Sequence, residues 1–190
     1  EIGSGLVGSE MCIRDSYSAL CDQAHGAAVL NDCKYGISMN GNALELTLLR
    51  AAAAPEMHAD NREHHFTYGF TAWEGSFADS DVVRQGYEMN VKPVITAGVV
   101  DTFSAFGVEK DNIILESVKL AEDGSGDLIL RLYEAKKAAV NTKVFTALNV
   151  AQAWTCDMLE KKEAEVAVED NTVSLDFRAF EIKTLRLKLA

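Results

Sequence analysis

A chain of 190 residues has room for one large or two small domains with real cores. With 48% hydrophobic and 25% charged residues it has an ordinary globular composition. A formal net charge of −11 argues against nucleic acid and anionic membrane surfaces, both of which call for clustered Lys and Arg. No apolar run is long enough to span a bilayer, and no signal peptide is visible at the start. Four cysteines (Cys12, Cys21, Cys33, Cys156) show no CxxC spacing, and no Asn-x-Ser/Thr acceptor occurs. Reduced thiols and a cytoplasmic location are therefore expected.

The sequence opens at Glu1 without an initiator methionine, as a piece of a longer reading frame would. Residues 3–16 have neither a helical nor a strand period and read as translated adapter sequence, so residues 1–22 are set aside as an adapter-like or disordered head. From Ala27 the pattern is β. Ala27–Leu30 reads as a short buried strand, and Ile37 to Arg50 as two strands around Asn40–Gly41–Asn42, residues that tolerate a tight hairpin. Leu44, Leu46 and Leu48 alternate with Glu45 and Thr47, giving one buried and one wet face. Ala51 to Glu63 is a loop. Phe66, Tyr68 and Phe70 alternate as the aromatic face of a further strand, and residues 73–77 form a turn. Asp81 is placed to cap a short helix through Tyr87 with Val82, Val83 and Tyr87 on one side.

The strand pattern lapses between Asn90 and Asp111, which places a connection at 94–110 between domains at 23–93 and 111–190. In the second region, strands are expected at Ile113–Leu120, Leu128–Tyr133, Lys143–Val150, Glu165–Val168, Val173–Phe177 and Ile182–Leu189. Asp123–Gly124–Ser125–Gly126 and Asp170–Asn171 are the turns between them. Short strands without helices between them indicate an antiparallel sandwich.

Chemistry-bearing residues fall in a few places. Asp32, Lys34 and Tyr35 lie in one polar stretch between two strand-like runs. A carboxylate and an ammonium take sugar hydroxyls, and a phenol offers a stacking face; the same residues also suit a turn in which Asp32 bonds backbone and Lys34 is solvated. Cys33 has no neighbouring His base, so a nucleophilic thiol is not expected. His58, Asp60, Glu63, His64 and His65 are zinc-ligand types, but their spacing is not that of a helical His-Glu-x-x-His motif or a zinc finger and suits solvated polar residues better. Asp32, Glu74 and Glu181 are the acids at notable places, and no spacing shows that any two meet across a cleft. The acidic run Glu160–Glu169 reads as solvated surface. No glycine-rich nucleotide loop or Gly-x-Ser-x-Gly elbow is present.

Four blocks carry a family likeness: Ala28–Val29–Leu30–Asn31–Asp32–Cys33–Lys34–Tyr35–Gly36, Leu46–Thr47–Leu48–Leu49–Arg50, His65–Phe66–Thr67–Tyr68 and Phe180–Glu181–Ile182–Lys183–Thr184. Together, over about Gln23 to Leu189, the chain resembles the C-terminal region of glycoside hydrolase family 38, the α-mannosidases. The resemblance implies a mainly β fold: the end of a large galactose-mutarotase-like sandwich over 23–93 and a small C-terminal β-sandwich over 111–190. It implies a parent that hydrolyses terminal α-mannosides by a retaining mechanism with a divalent metal, usually zinc. The nucleophile and the metal ligands of that family lie in a barrel domain that these residues do not include. No catalytic or metal residue is therefore assigned here, and the piece alone is expected to be inactive. Asp32, Lys34 and Tyr35 are the substrate-proximal candidates. A stand-alone carbohydrate-binding module and a structural module for homo-oligomer assembly are the alternatives. An incomplete large sandwich would expose apolar edge strands and be poorly soluble alone.

Overall fold

The computed structural model describes residues 11–13, 16–99 and 101–190, the first three through their backbone alone. The chain divides into two compact units, Glu1–Thr96 and Ala97–Ala190. The expected adapter-like stretch at 3–16, with the Cys12 side chain, lies mostly outside the described residues.

The first unit contains β1 (Met11–Ile13), β2 (Tyr17–Cys21), β3 (His25–Asn31), β4 (Gly36–Asn40), β5 (Ala43–Leu46), β6 (Tyr68–Glu74) and helix α1 (Val82–Asn90). Two antiparallel sheets result, in the orders β1-β4-β5 and β2-β3-β6. The hairpin is as the sequence implies: Asn40 pairs with Ala43 across a two-residue loop, with Gly41 at φ 59°. The helix follows Asp81, whose carboxylate bonds the Arg84 guanidinium at 2.8 Å and caps no backbone N–H. Val82, Val83 and Gly86 are its buried positions, and Tyr87 is half-buried.

Several expectations change in this unit. Tyr17–Cys21, set aside with the head, forms β2 and pairs with β3 over five residues. Strand β5 stops at Leu46; the Thr47 N–H still meets the Gly36 carbonyl in register at 2.8 Å, and Leu48 beyond it is exposed. Strand β6 begins later and runs further than the aromatic alternation suggests, so Trp73 is a strand residue rather than part of a turn. Trp73 lies across Gly26 on β3, where a Cβ would meet its ring at 2.0 Å, and its indole N–H donates to the Ser76 carbonyl. Only a glycine allows that approach.

The second unit is a two-layer sandwich. It comprises β7 (Phe106–Val108), β8 (Ile113–Leu120), β9 (Leu128–Glu134), β10 (Val140–Thr146), β11 (Val150–Cys156), β12 (Lys162–Val166), β13 (Thr172–Phe177) and β14 (Ile182–Leu189). A five-stranded sheet in the order β12-β11-β14-β9-β8 faces a three-stranded sheet in the order β13-β10-β7. Between them Leu130, Leu132, Val144, Ala153, Val173, Leu175, Phe177, Leu185 and Leu187 form one core, joined by Ile113. Burial of each large side chain there contributes roughly 1.5–3 kcal/mol against exposure. Asp170 and Asn171 both take left-handed φ, 49° and 58°, and Glu169 and Thr172 exchange both backbone hydrogen bonds around them. That is the two-residue turn Asp and Asn tolerate best.

Strands β8, β9 and β14 fall where the sequence puts them, with β9 one residue longer. The run expected at Lys143–Val150 is instead the end of β10 and the start of β11. They are parted at Ala147–Asn149, where the Thr146 hydroxyl accepts the Leu148 N–H at 3.1 Å. Strand β12 lies earlier than Glu165–Val168, and β7 falls inside the expected connection.

Candidate functional site

The loop after β3 is organised by Asn31. Its side chain is buried, and its amide oxygen accepts the Lys34 N–H at 2.8 Å. Its own backbone carbonyl receives the Asn90 side-chain amide from α1 at 3.1 Å. Asp32 then ties the loop to the chain entering β6. Its N–H donates to the Thr67 carbonyl at 3.2 Å, and its carboxylate accepts the Thr67 N–H at 3.0 Å. The Thr67 N–H, followed by the Cys33 thiol, holds the Asp32 carboxyl below the usual carboxylate range. The same hydrogen bond to Asp32 pushes the Cys33 thiol up, the opposite of what a nucleophile needs.

Of the three candidates, Asp32 is thus the anchor, and Lys34 and Tyr35 are what the loop presents. The Lys34 ammonium lies 4.8 Å from the centroid of the Phe66 ring, which stacks on Tyr68 at 6.3 Å. Tyr35 is 46% exposed. An ammonium over two stacked aromatic rings, with an exposed phenol next to it in sequence, can take a hydroxyl-rich ligand by hydrogen bonding and ring contact. Asn31, the residue that sets the turn, was passed over in the sequence; a side chain three residues ahead of a Lys–Tyr–Gly stretch carries no signal of its own.

The other acids do not assemble a hydrolytic pair. Asp32 lies opposite Thr67 and Glu74 opposite His25, at the two ends of the β3–β6 ladder. Seven strand steps separate them, roughly 20 Å, against the 5–10 Å of a glycosidase pair. The Glu181 carboxylate is engaged by Arg178 at 3.0 Å and Lys183 at 3.5 Å. The histidine loop is bound up in its own geometry: His64 Nε2 sits 3.0 Å from the Asp60 carbonyl, the Asp60 carboxylate accepts the Ala51 N–H, and His65 lies 3.4 Å from Glu63. Among the described residues no three His, Cys, Asp or Glu side chains converge as metal ligands.

A denser cluster stands on the outer face of the five-stranded sheet, on residues that alternation alone marks as wet. Arg186 is only 6% exposed. Its Nε donates to Asp127 at 2.7 Å, and its Nη2 donates to Asp123 at 2.7 Å and to the Ser125 hydroxyl at 2.9 Å. The Ser125 hydroxyl and N–H, with Arg186 behind them, hold the Asp123 carboxyl far below its ordinary value. Beside it Glu160, expected to be solvated, is 7% exposed; it accepts the Glu122 N–H at 2.9 Å and pairs with Lys119 at 2.9 Å. Lys162 caps the Trp154 ring at 3.3 Å. Every charge here is matched, so the cluster fixes the turn at 121–127 and the loop at 157–161 rather than presenting a reactive group. The signal was available: Lys119, Arg131 and Arg186 point outward from adjacent strands, and acid-rich turns close over them.

A family model described as "Glycosyl hydrolases family 38 C-terminal domain" matches residues 10–58, and one described as "Glycosyl hydrolases family 38 C-terminal beta sandwich domain" matches residues 112–185. The chain is 38% identical to mouse "Alpha-mannosidase 2C1" over 177 residues, 89% of this chain and 17% of the mouse protein. The human protein of the same name gives 38% identity over 178 residues, covering 90% and 17%. The "Alpha-mannosidase" of Saccharomyces cerevisiae is 30% identical, with 94% of this chain and 19% of the yeast protein covered. The chain therefore spans less than a fifth of the length of the curated relatives it matches. Among solved structures, a family 38 protein and an α-mannosidase from Enterococcus faecalis share the fold at TM-scores of 0.71 and 0.72 with 16% identity. They cover 94% and 95% of this chain, which covers 22% of each of theirs.

Proposed function

From the premise that the chain belongs to glycoside hydrolase family 38, whose C-terminal domains its two units match in order, we propose that it serves as the C-terminal β part of an α-mannosidase acting on terminal α-mannosides. The observation that carries this reading is the 38% identity running through both units rather than one motif. The resemblance assigns the parent's chemistry to a metal-assisted retaining site. The residues here do not fit the metal: among the described residues no three His, Cys, Asp or Glu side chains converge, and in the His58–His65 loop His64 meets the Asp60 carbonyl and His65 meets Glu63. No step is therefore routed through these side chains, and zinc is proposed as a partner of the parent alone. No helix among the described residues is long and apolar enough to cross a membrane, and a cytoplasmic location is the proposal that goes with reduced thiols.

Within that reading Lys34 and Tyr35 are proposed to approach the bound sugar, with Asp32 and Asn31 holding their loop in place. Support comes from the exposure of Tyr35, from the ring contacts of Lys34, and from the backbone anchors beneath both. The test of the parent reading is to extend the frame upstream from source DNA, express it, and assay α-mannoside hydrolysis with and without a chelator. An extended frame that folds and leaves α-mannosides intact would end the reading. Lys34→Ala in the same enzyme is expected to raise KM by roughly ten- to a hundred-fold, since a charged hydrogen bond is worth about 1.5–3 kcal/mol. Unchanged kinetics would remove Lys34 from the site.

A further inference from the structure

Among the described residues, β6 (Tyr68–Glu74) is the outermost strand of its sheet, paired with β3 on one side. The direction of its backbone groups follows from the two ends of that ladder. At one end the Asp32 N–H reaches the Thr67 carbonyl at 3.2 Å; at the other the Gly75 N–H reaches the Ala24 carbonyl at 2.6 Å. Hydrogen-bonded pairs recur at every second residue of an antiparallel ladder. Gly69, Thr71 and Trp73 thus turn their amides and carbonyls to β3, and Tyr68, Phe70, Ala72 and Glu74 turn theirs to the outer edge.

The side chains of these last four residues share one face, and it is open: Tyr68 is 59% exposed and Phe70 75%. The register carries that face inward as Val29 and Ala27 on β3, then Ser18 and Leu20 on β2. The opposite face is closed: the Cβ direction of Gly69 ends 3.1 Å from Met89 of α1. A sheet covered by a helix on one side, apolar on the other, and ending in a strand with outward-facing amides has the form on which an added strand docks.

We propose that β6 is a strand-docking edge, filled in the parent by an extended, alternately apolar segment of the same polypeptide outside these 190 residues. That segment extends the β2-β3-β6 sheet and covers Tyr68 and Phe70. The proposal rests on the reading of the chain as part of a longer mannosidase. The occupant follows from length: this chain covers 17% of the mouse and human relatives and 22% of the similar solved chains, so most of such a polypeptide lies elsewhere. A second copy is a poorer occupant, because each copy brings a net charge of −11.

Amide hydrogen exchange, read residue by residue, tests this in the 190-residue chain and in the extended frame. The amides of Tyr68, Phe70, Ala72 and Glu74 are expected to exchange about a hundred-fold or more slowly in the extended protein than in the short chain. Equal, fast exchange in both overturns the docking edge. Protection already present in the short chain, rising with concentration alongside a dimer in sedimentation, assigns the edge to a second copy and overturns the proposed occupant. Source DNA with no upstream frame removes the occupant and the mannosidase reading together. The mannosidase assay on the same samples separates the two ideas. Active enzyme with unprotected amides sinks only the docking edge, whereas protected amides without activity sink only the enzyme reading.

Discussion

Arg186 stands at a strand position that alternation marks as solvent-facing, yet it is 6% exposed because three turn residues, Asp123, Ser125 and Asp127, wrap it. Removing one partner of such a set leaves the others buried without compensation. Arg186→Ala is expected to cost about 3–5 kcal/mol, because Asp127 stays buried with its counter-ion gone, and calorimetry of the chain would read it. Arg186→Lys should recover only part of the loss, since an ammonium cannot bond two carboxylates and a hydroxyl in a planar fork. The glycines under aromatic rings give a second comparison at this scale. Gly26→Ala would drive a Cβ into Trp73 at 2.0 Å, and Trp73 is pinned through its indole N–H. Gly107→Ala meets Phe145 at 2.3 Å, but that ring is 44% exposed and free to swing aside. Costs of about 2–3 kcal/mol and under about 1 kcal/mol are expected in turn, measured by denaturant unfolding.

At the scale of elements, regular strands were legible and their ends were not. Leu128–Tyr133 and Ile182–Leu189 announce themselves by two-residue alternation, and Ile113–Leu120 by its apolar content, although a bulge between Leu115 and Ser117 shifts its faces. The boundary between β10 and β11 was missed because the break at Ala147–Asn149 is made by the Thr146 hydroxyl, not by Gly or Pro. Strand β2 was missed for a different reason: Tyr17–Cys21 is too short to show a period, and its order comes from pairing with β3. The Asp32–Tyr35 loop was visible as a polar stretch, but its anchor Asn31 was not, since what Asn31 holds arrives from Lys34 and from α1. The outer-face ion cluster did leave a signal, in Lys119, Arg131 and Arg186 at outward positions; what brings the acids onto them is turns from separate stretches of chain. A test belongs here too. Asp32→Ala should lower the stability of the first unit and free the Thr67 amide to exchange, while Asp32→Asn, which keeps an acceptor, should do so less.

For the whole molecule, acid is the condition that distinguishes the two units. In the second unit the carboxyls of Asp111, Asp123, Glu134, Glu160 and Glu181 all lie below their ordinary values. Lys136 does this for Asp111, and the Arg178 N–H and guanidinium for Glu181. At Glu134 burial pushes the carboxyl up, and the Phe180 N–H, the Asn112 amide and the Lys136 N–H outweigh it. A carboxyl whose folded value is depressed stabilises the fold above its unfolded value and ceases to do so as pH falls through the folded one. Stability of this unit should therefore be level above about pH 5 and decline steadily below about pH 4. The first unit, with Asp22 and Asp32 as its depressed carboxyls, should lose less over that range. A Tm that rises on acidification would contradict this.

The chain has two tryptophans, and the fold gives one to each unit. Trp73 sits over a glycine in the first; Trp154 sits beneath the Lys162 ammonium in the second, with its strand paired on both sides. Each indole is therefore a private optical reporter for its own unit. Exchanging Trp154 for Phe leaves emission that follows unit one alone, and exchanging Trp73 for Phe leaves unit two. Intrinsic fluorescence of those two variants would show whether the halves melt together or one after the other, without any label being attached.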